Sequence, residues 1–138
     1  MSTHLKEKEE QILKILEQLA EENINGKPIL VEGRKDIKAL RNLGIKGKII
    51  SVKTGGKNLL NTISEIEASN LTEVILMLDF DRRGRELTTN LKRHIEKTGI
   101  NANLHFWLRL SGLAGKEVKD VEGLATYIET LKNKTGNS

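Results

Sequence analysis

The chain has 138 residues, of which 37% are hydrophobic and 30% are charged. This length fits one domain with a core of its own, and the composition excludes a disordered or membrane-spanning protein. The chain has no cysteine, so any metal must be held by oxygen atoms or by histidine. Its first residues are charged and lack the apolar segment of a secretory signal, so we predict a soluble, cytoplasmic protein that does not contact a membrane.

The net charge of +4 is distributed unevenly along the chain. The first 25 residues carry three lysines and six glutamates, whereas the other 113 residues carry 20 basic and 13 acidic side chains. A basic body is typical of a protein that binds a polyanion such as a nucleic acid. A solvated or heat-resistant surface has the same composition, so charge alone leaves both interpretations open.

Hydrophobic periodicity predicts strands and helices that alternate along the chain. Residues 5–24 have the apolar stripe of an amphipathic helix, which Pro28 ends. The predicted strands cover residues 28–32, 48–52, 73–78 and 102–108. The predicted helices that follow cover residues 34–43, 58–68, 83–98 and, after a glycine-rich loop, 121–131. This alternation predicts an α/β fold with a mainly parallel four-stranded sheet, flanked by helices and extended by the N-terminal amphipathic helix.

Acidic residues stand at the ends of two predicted strands. Glu32 is the last residue of the first strand, and Asp79 and Asp81 stand at the end of the third. Active sites of parallel sheets gather at the carboxyl ends of the strands, and side chains two residues apart in extended chain point the same way. Three converging carboxylates would suit Mg²⁺ or Mn²⁺, which would compensate their repulsion. Helix-capping or turn acids are the alternative interpretation.

Three segments, in this order and spacing, resemble the Toprim domain. They are VEGRKDIKAL at 31–40, VKTGGKNLL at 52–60 and LMLDFDRRGREL at 76–87. Topoisomerases, bacterial-type primases, OLD-family nucleases and the 5S ribosomal RNA maturase share this domain, and the chain looks most similar to small stand-alone Toprim proteins, to the maturase and to primases. The resemblance implies a Toprim (Rossmann-like) fold. It also implies that Glu32, Asp79 and Asp81 are the catalytic and metal-binding residues.

Departures from the wider family restrict the expected activity. Arg83 stands where type IA topoisomerases have a further acid, so strand passage is not expected. The sequence has no phosphate-binding loop of the Gly-x-x-x-x-Gly-Lys-Ser/Thr type, so no ATPase is built in. The zinc and helicase-docking parts of primases and the RNA-docking extension of the maturase are also missing.

Basic and glycine residues after the predicted strands are candidates for phosphate and nucleic-acid binding, because exposed cations and backbone N–H groups there can meet phosphates. They are Gly33, Arg34, Lys53, Gly55, Gly56, Lys57, Arg82, Gly84 and Arg85. For each charged residue a solvated surface is the alternative. Asp120 and Glu122 are candidates for outer-shell or second-metal positions, with a helix cap by Asp120 as the alternative.

We therefore predict a Mg²⁺-dependent nuclease that acts on structured RNA in preference to DNA. Glu32 would act as the general base or complete the metal site. The alternative is a Toprim subunit of a replication or RNA-processing complex that binds nucleic acid with little or no turnover. The predicted organisation is an N-terminal helix over residues 1–26, a Toprim domain over 27–132 and a disordered tail over 133–138. The N-terminal helix is expected to cover the protein's own sheet or to contact a partner protein or a second copy.

Overall fold

The computed structural model describes residues 3–52 and 59–136, and the side chain of residue 59 is outside the description. Four predicted phosphate-binding residues, Lys53, Gly55, Gly56 and Lys57, therefore lie outside the described residues. The elements in chain order are α1 (Thr3–Ile24), β1 (Ile29–Val31), α2 (Arg34–Asn42), β2 (Ile49–Ser51), α3 (Leu59–Ala68), β3 (Glu73–Leu76), α4 (Arg82–Lys97), β4 (Asn101–Asn103), α5 (His105–Ala114) and α6 (Val121–Thr135).

The four strands form one parallel sheet in the order β2-β1-β3-β4, which confirms the predicted α/β architecture. In its centre, Leu30 of β1 lies opposite Ile50 of β2 on one side and Leu76 of β3 on the other. The fourth strand extends the sheet through the pairing of Val74 with Ala102. Because β1 and β3 are neighbours, the residues that follow them emerge side by side at the same edge of the sheet.

Helices cover both faces of the sheet. Side chains alternate between faces along each strand, so Ile29 and Ile75 pack into one core while Leu30 and Leu76 pack into the other. The first core is completed by α1, α2, α5 and α6, and the second by α3 and α4. Both sides of the central strands are therefore buried, which explains why those strands read as continuous apolar runs.

The N-terminal helix packs within the chain. Ile12, Ile15 and Leu19 on α1 are fully buried, and α1 contacts α5 and α6. This is one of the roles expected from its apolar stripe, and a role in partner or self-association remains a prediction. No helix in the described part of the chain has the length and apolarity needed to cross a bilayer.

The structure corrects the predicted strand over residues 102–108. Strand β4 ends at Asn103, whose side-chain oxygen accepts a hydrogen bond from the backbone N–H of His105, and α5 begins there. Aromatic residues favour strands, but Phe106, Trp107 and Leu110 follow helical spacing and bury one face of α5. The first half of the predicted glycine-rich loop, residues 109–114, is therefore helix, and residues 115–120 connect α5 to α6.

The last helix is longer than its apolar pattern predicted. It continues to Thr135, beyond the expected end at Leu131, and Gly136 caps it in the left-handed conformation with φ of 80°. Residues 133–135, assigned to a tail from the sequence, extend this helix.

Candidate metal and nucleic-acid site

Glu32 and Asp79 meet at the carboxyl edge of the sheet. Glu32 directly follows β1, Asp79 lies three residues beyond β3, and these strands are neighbours. The backbone N–H of Asp79 donates to Oε2 of Glu32 at 3.1 Å, and the two carboxyl groups are also hydrogen-bonded to each other. The side chain of Glu32 is 3% exposed and that of Asp79 is 17% exposed. Two of the three predicted carboxylates thus lie together in a poorly solvated place.

The two carboxyl groups have opposite pKa shifts. Burial, the hydrogen bond to Glu32 and the negative charges of Glu32, Asp36 and Asp120 raise the pKa of Asp79 to about 7. Burial alone would raise the pKa of Glu32, but hydrogen bonds from Asp79 and from Arg83 outweigh it and lower that pKa. The two groups titrate as a coupled pair, in which burial and the nearby negative charges favour a bound proton.

Arg83 supplies a positive charge to this pair. Its Nη2 atom lies 2.7 Å from Oε1 of Glu32 and 3.5 Å from Oδ2 of Asp79. The hydrogen bond and the negative charge of Glu32 raise the pKa of this guanidinium group. From the sequence, Arg83 is identified as a departure from the topoisomerase pattern and as one of the basic residues after the third strand, but not as a partner of the carboxylates. Its position four residues after Asp79, in the first turn of the following helix, was the available signal.

Asp81 does not join the two carboxylates. The chain enters α4 directly after it, and Oδ1 of Asp81 caps that helix by accepting a hydrogen bond from the backbone N–H of Gly84 at 2.8 Å. Among residues 3–52 and 59–136, no three histidine, aspartate or glutamate side chains are grouped so that they could hold a metal ion. Glu32 and Asp79 thus form a pair, whereas Asp81, whose backbone is extended with φ of −76° and ψ of 177°, uses one oxygen atom as a helix cap.

Gly84 lies against the protein's own backbone. A Cβ atom at this position would stand 2.1 Å from the carbonyl oxygen of Asp79, which is closer than real Cβ contacts come. The first turn of α4 can approach the end of the β3 segment only because residue 84 has no side chain. We predicted a close approach to phosphate at Gly84, whereas the structure gives this glycine a packing role.

A cleft of about 250 Å³ opens beside the pair. Its lining includes Glu32, Asp79 and the first residues of α2 and α6, namely Gly33, Arg34, Lys35, Asp36, Asp120 and Glu122. The two candidates for outer positions, Asp120 and Glu122, therefore lie in the same cleft as the pair. Asp120 also caps α6 through a 2.7 Å hydrogen bond from the N–H of Gly123, which is the alternative interpretation of this residue, and its outer-shell role stays a prediction.

Asp36 was not identified from the sequence. It is 8% exposed, and its carboxylate accepts hydrogen bonds from the N–H of Gly33 at 3.2 Å and from the N–H of Glu122 at 3.4 Å. It thereby joins the N-termini of α2 and α6 beside the carboxylate pair. Burial is the main cause of its raised pKa. Its third position in α2, where a capping-box acid stands, was the available signal.

The chemistry of this donor set fits a small hard cation. Mg²⁺ is commonly bound by one or two carboxylates, with water and substrate oxygens completing its shell. The Arg83 guanidinium already stands in as a cation between Glu32 and Asp79. Beside them, Gly33 has an ordinary extended backbone, and a Cβ atom there would meet nothing within 4 Å. The fold thus leaves open space where the cleft begins.

Three of the predicted phosphate-binding arginines lie near the carboxyl edge of the sheet. Arg34, Arg82 and Arg85 are exposed, and Arg82 pairs with Glu86 one turn along α4. A groove of about 770 Å³ between α2 and α6 adds lysines that the sequence analysis did not identify, Lys38 and Lys132. Lys35 and Glu122 line both this groove and the cleft, so the two are continuous.

Residues 27–107 match the family model described as the Toprim domain. The chain is 38% identical over 129 residues to a UPF0292 protein of Methanosarcina acetivorans, which covers 94% of this chain and 88% of the relative. It is 32% identical over 119 residues to a UPF0292 protein of Methanocaldococcus jannaschii, covering 86% of this chain and 91% of that one.

A solved structure of an Aquifex aeolicus protein has a TM-score of 0.66 to this chain at 24% identity, covering 79% of this chain and 94% of that one, and shows the fold alone. A Toprim domain places the chain in the general class of metal-dependent nucleic-acid processing proteins. The family model matches more than half of this chain, and the chain therefore belongs to the Toprim domain family.

Proposed function

We propose that the protein is a Mg²⁺- or Mn²⁺-dependent nuclease that acts on structured RNA. The observation that carries this proposal is the Glu32–Asp79 pair, in which two adjoining, largely buried carboxyl groups share one guanidinium group. A fold that only needed carboxylates as caps would expose them or give each its own donors. Two carboxylates left short of positive charge are suited to a divalent cation.

Each residue then has a role in phosphodiester cleavage. Glu32 and Asp79 would hold the metal, which when bound would polarise the phosphate and acidify a water molecule. Glu32, fixed by the Asp79 backbone N–H, is placed to complete the metal site or to accept a proton as general base. Asp81 would contribute by fixing the start of α4, where its Oδ1 atom accepts the hydrogen bond from Gly84 and its other oxygen atom is not used by the cap. Asp120 and Glu122 would act from outer positions across the cleft.

Basic residues around the cleft would hold the nucleic-acid backbone. Arg34, Arg82 and Arg85 are exposed on the first turns of α2 and α4, where backbone N–H groups of the helix N-termini add to their charge. The preference for RNA over DNA rests on the resemblance to the maturase. A shallow cleft that opens to solvent is compatible with the backbone of a structured nucleic acid lying across it.

A nucleic-acid-binding subunit with little turnover is the second candidate. Arg83 favours it, because this residue compensates the carboxylate pair without a metal ion. In this case the cleft would bind phosphate through arginine side chains and would not need to assemble a reactive water molecule.

Single-turnover cleavage of end-labelled structured RNA and DNA separates the two candidates. For a nuclease, we expect Mg²⁺- or Mn²⁺-dependent cleavage that EDTA abolishes. The variant Glu32→Gln should reduce its rate by a factor on the order of a hundred, the usual scale for a lost general base. Filter binding should show affinity retained or increased, because the change removes a negative charge. Glu73→Gln, at the other end of the sheet, is the matched control and should cleave as wild type does.

Wild-type cleavage that Glu32→Gln leaves undiminished would contradict the role of this glutamate. Wild-type binding without cleavage above background in either metal would favour the subunit.

A further inference from the structure

We propose that Arg83 is an internal counterion that competes with the metal ion for Glu32 and Asp79 and is released to bind phosphate when the metal enters. This inference rests on the proposed function, since it concerns the same carboxylate pair. It predicts that metal binding and nucleic-acid binding strengthen each other through one side chain. If Arg83 formed a purely structural ion pair, metal binding and nucleic-acid binding would not be coupled through it.

The first step of the argument is which oxygen atoms Arg83 holds. Oε2 of Glu32 already accepts the backbone N–H of Asp79, whereas Oε1 accepts Nη2 of Arg83 at 2.7 Å. The same Nη2 atom lies 3.5 Å from Oδ2 of Asp79. One guanidinium nitrogen therefore lies between the carboxylate oxygens that a shared cation would use. A metal ion held by both oxygens and the guanidinium group cannot occupy this place together.

The second step is which partner can move. The side chain of Glu32 is 3% exposed and tied to backbone, while that of Arg83 is 58% exposed on the outer surface of α4. Within the described residues, the only ion pairs of Arg83 are those to Glu32 and Asp79. Arginine has a long flexible stem and keeps its charge at any physiological pH. Displacement would therefore rotate Arg83 outwards and leave the carboxylates in place.

The third step is the balance of charge. With Glu32 and Asp79 both ionised, a divalent cation neutralises the pair, and the guanidinium group that it displaces loses both of its ion pairs. A guanidinium group binds phosphate oxygens in a bidentate manner, which is a strong, charge-assisted interaction. Metal entry would thus convert Arg83 from a partner of carboxylates into a partner of phosphate, and the resulting coupling must act equally in both directions.

The test is calorimetric titration of MnCl₂ into Arg83→Gln at pH 8, where Asp79 is largely ionised in the wild type as well. Removing the competing cation should raise the Mn²⁺ affinity by roughly 5-fold or more, within the usual range of coupling between sites. Arg93→Gln is the matched control, because Arg93 is exposed farther along α4 and donates to Asn90, and its Mn²⁺ affinity should stay within about twofold of wild type. Arg83→Lys keeps a charge on a shorter donor and should have intermediate affinity.

Binding of an end-labelled RNA hairpin supplies the second readout. Arg83→Gln should weaken hairpin binding several-fold in Mn²⁺ but have little effect in EDTA, where Arg83 is engaged with the carboxylates. Wild-type Mn²⁺ binding that Arg83→Gln leaves unchanged or weakens would overturn the inference and leave the proposed metal site standing. Mn²⁺ binding that is absent from wild type and both Arg83 variants would overturn the proposed function together with the inference. Thermal melts of each variant establish that it is folded.

Discussion

The carboxylates of Glu73 and Asp79, at the two ends of the sheet, have different hydrogen-bond partners and opposite pKa shifts. Glu73 begins β3 at the amino edge and Asp79 stands six residues later at the carboxyl edge. Glu73 accepts hydrogen bonds from Asn103 at 2.9 Å and from Asn101 at 3.3 Å, and Lys27 lies 3.5 Å away. Burial would raise its pKa, but these donors outweigh burial and lower it. Asp79 faces Glu32 instead, and its pKa rises to about 7.

The amino edge is well supplied with partners elsewhere too. The buried side chain of Asn23 donates to the carbonyl oxygens of Lys27 and Lys48 and accepts from the N–H of Gly47, so two of its three hydrogen bonds join the end of α1 to the loop before β2. Glu73 thus receives donors from neutral amides and a lysine, whereas Asp79 faces a second carboxylate. This difference supports the proposal of a functional site at the carboxyl edge.

The largest expected effect concerns how tightly the carboxyl edge is built. Gly84→Ala would drive a Cβ atom into the Asp79 backbone, so we expect a loss of at least about 2 kcal/mol in the free energy of unfolding. Gly33→Ala in the same site meets open space with an ordinary backbone conformation, and should change stability by less than about 1 kcal/mol. Urea denaturation measures both. Equal losses of stability in the two variants would contradict the difference between a tightly packed Gly84 and an open space beside Gly33.

The next effect concerns pH. In EDTA, the raised pKa of Asp79 makes the native state bind protons more tightly than the unfolded state, so this group's contribution to stability falls as pH rises from about 4 to 7. Asp79→Asn removes that penalty while the amide still donates to Glu32. Asp79→Asn should therefore be more stable than wild type at pH 8 by about 1–3 kcal/mol. The lowered pKa of Glu32 stabilises the wild type at this pH and so reduces the difference. The gain should shrink towards pH 5.

Glu73→Gln provides the opposite sign at the amino edge. Because the folded-state pKa of Glu73 is lowered, its stabilising contribution is present above its unfolded pKa and is lost as pH falls through the folded value. We expect this variant to be less stable than wild type at pH 8 by about 1 kcal/mol, with a smaller difference near pH 4. Chemical denaturation of both variants at pH 4, 5 and 8 compares the two edges. If Asp79→Asn were less stable than wild type at pH 8, the raised pKa of Asp79 would be contradicted.

The smallest effect concerns the basic residues at each edge. Replacing Arg82 and Arg85 by alanine should weaken nucleic-acid binding irrespective of sequence and make the salt dependence of log K shallower by about one unit per lost phosphate contact. Lys46 and Lys48 are exposed at the amino edge, and their replacement should leave the slope unchanged. Filter binding over a range of NaCl concentrations measures this. If both pairs change the slope equally, the nucleic acid is not confined to the carboxyl edge.

Much of the fold was predictable because local patterns determine it. The apolar stripe of α1, the alternation of strands and helices, and the acids after two buried strands are all properties of neighbouring residues. The strand over 102–108 was mispredicted for the same reason, because Phe106 and Trp107 favour strands locally while their helical packing depends on distant residues. Trp107 donates to the carbonyl oxygen of Leu78, 29 residues earlier in the chain.

By itself, the sequence determined the chemistry at the ends of the strands: hard oxygen ligands, no thiols and a surplus of cations close by. Only the tertiary structure decided which of these groups meet. The pairing of β1 with β3 brings Glu32 to Asp79 across 47 residues, and the start of α4 directly after Asp81 makes this residue a cap and places Arg83 beside the pair. Spacing along a chain fixes which face a side chain takes, but contacts between strands depend on their order in the sheet, which no local pattern encodes.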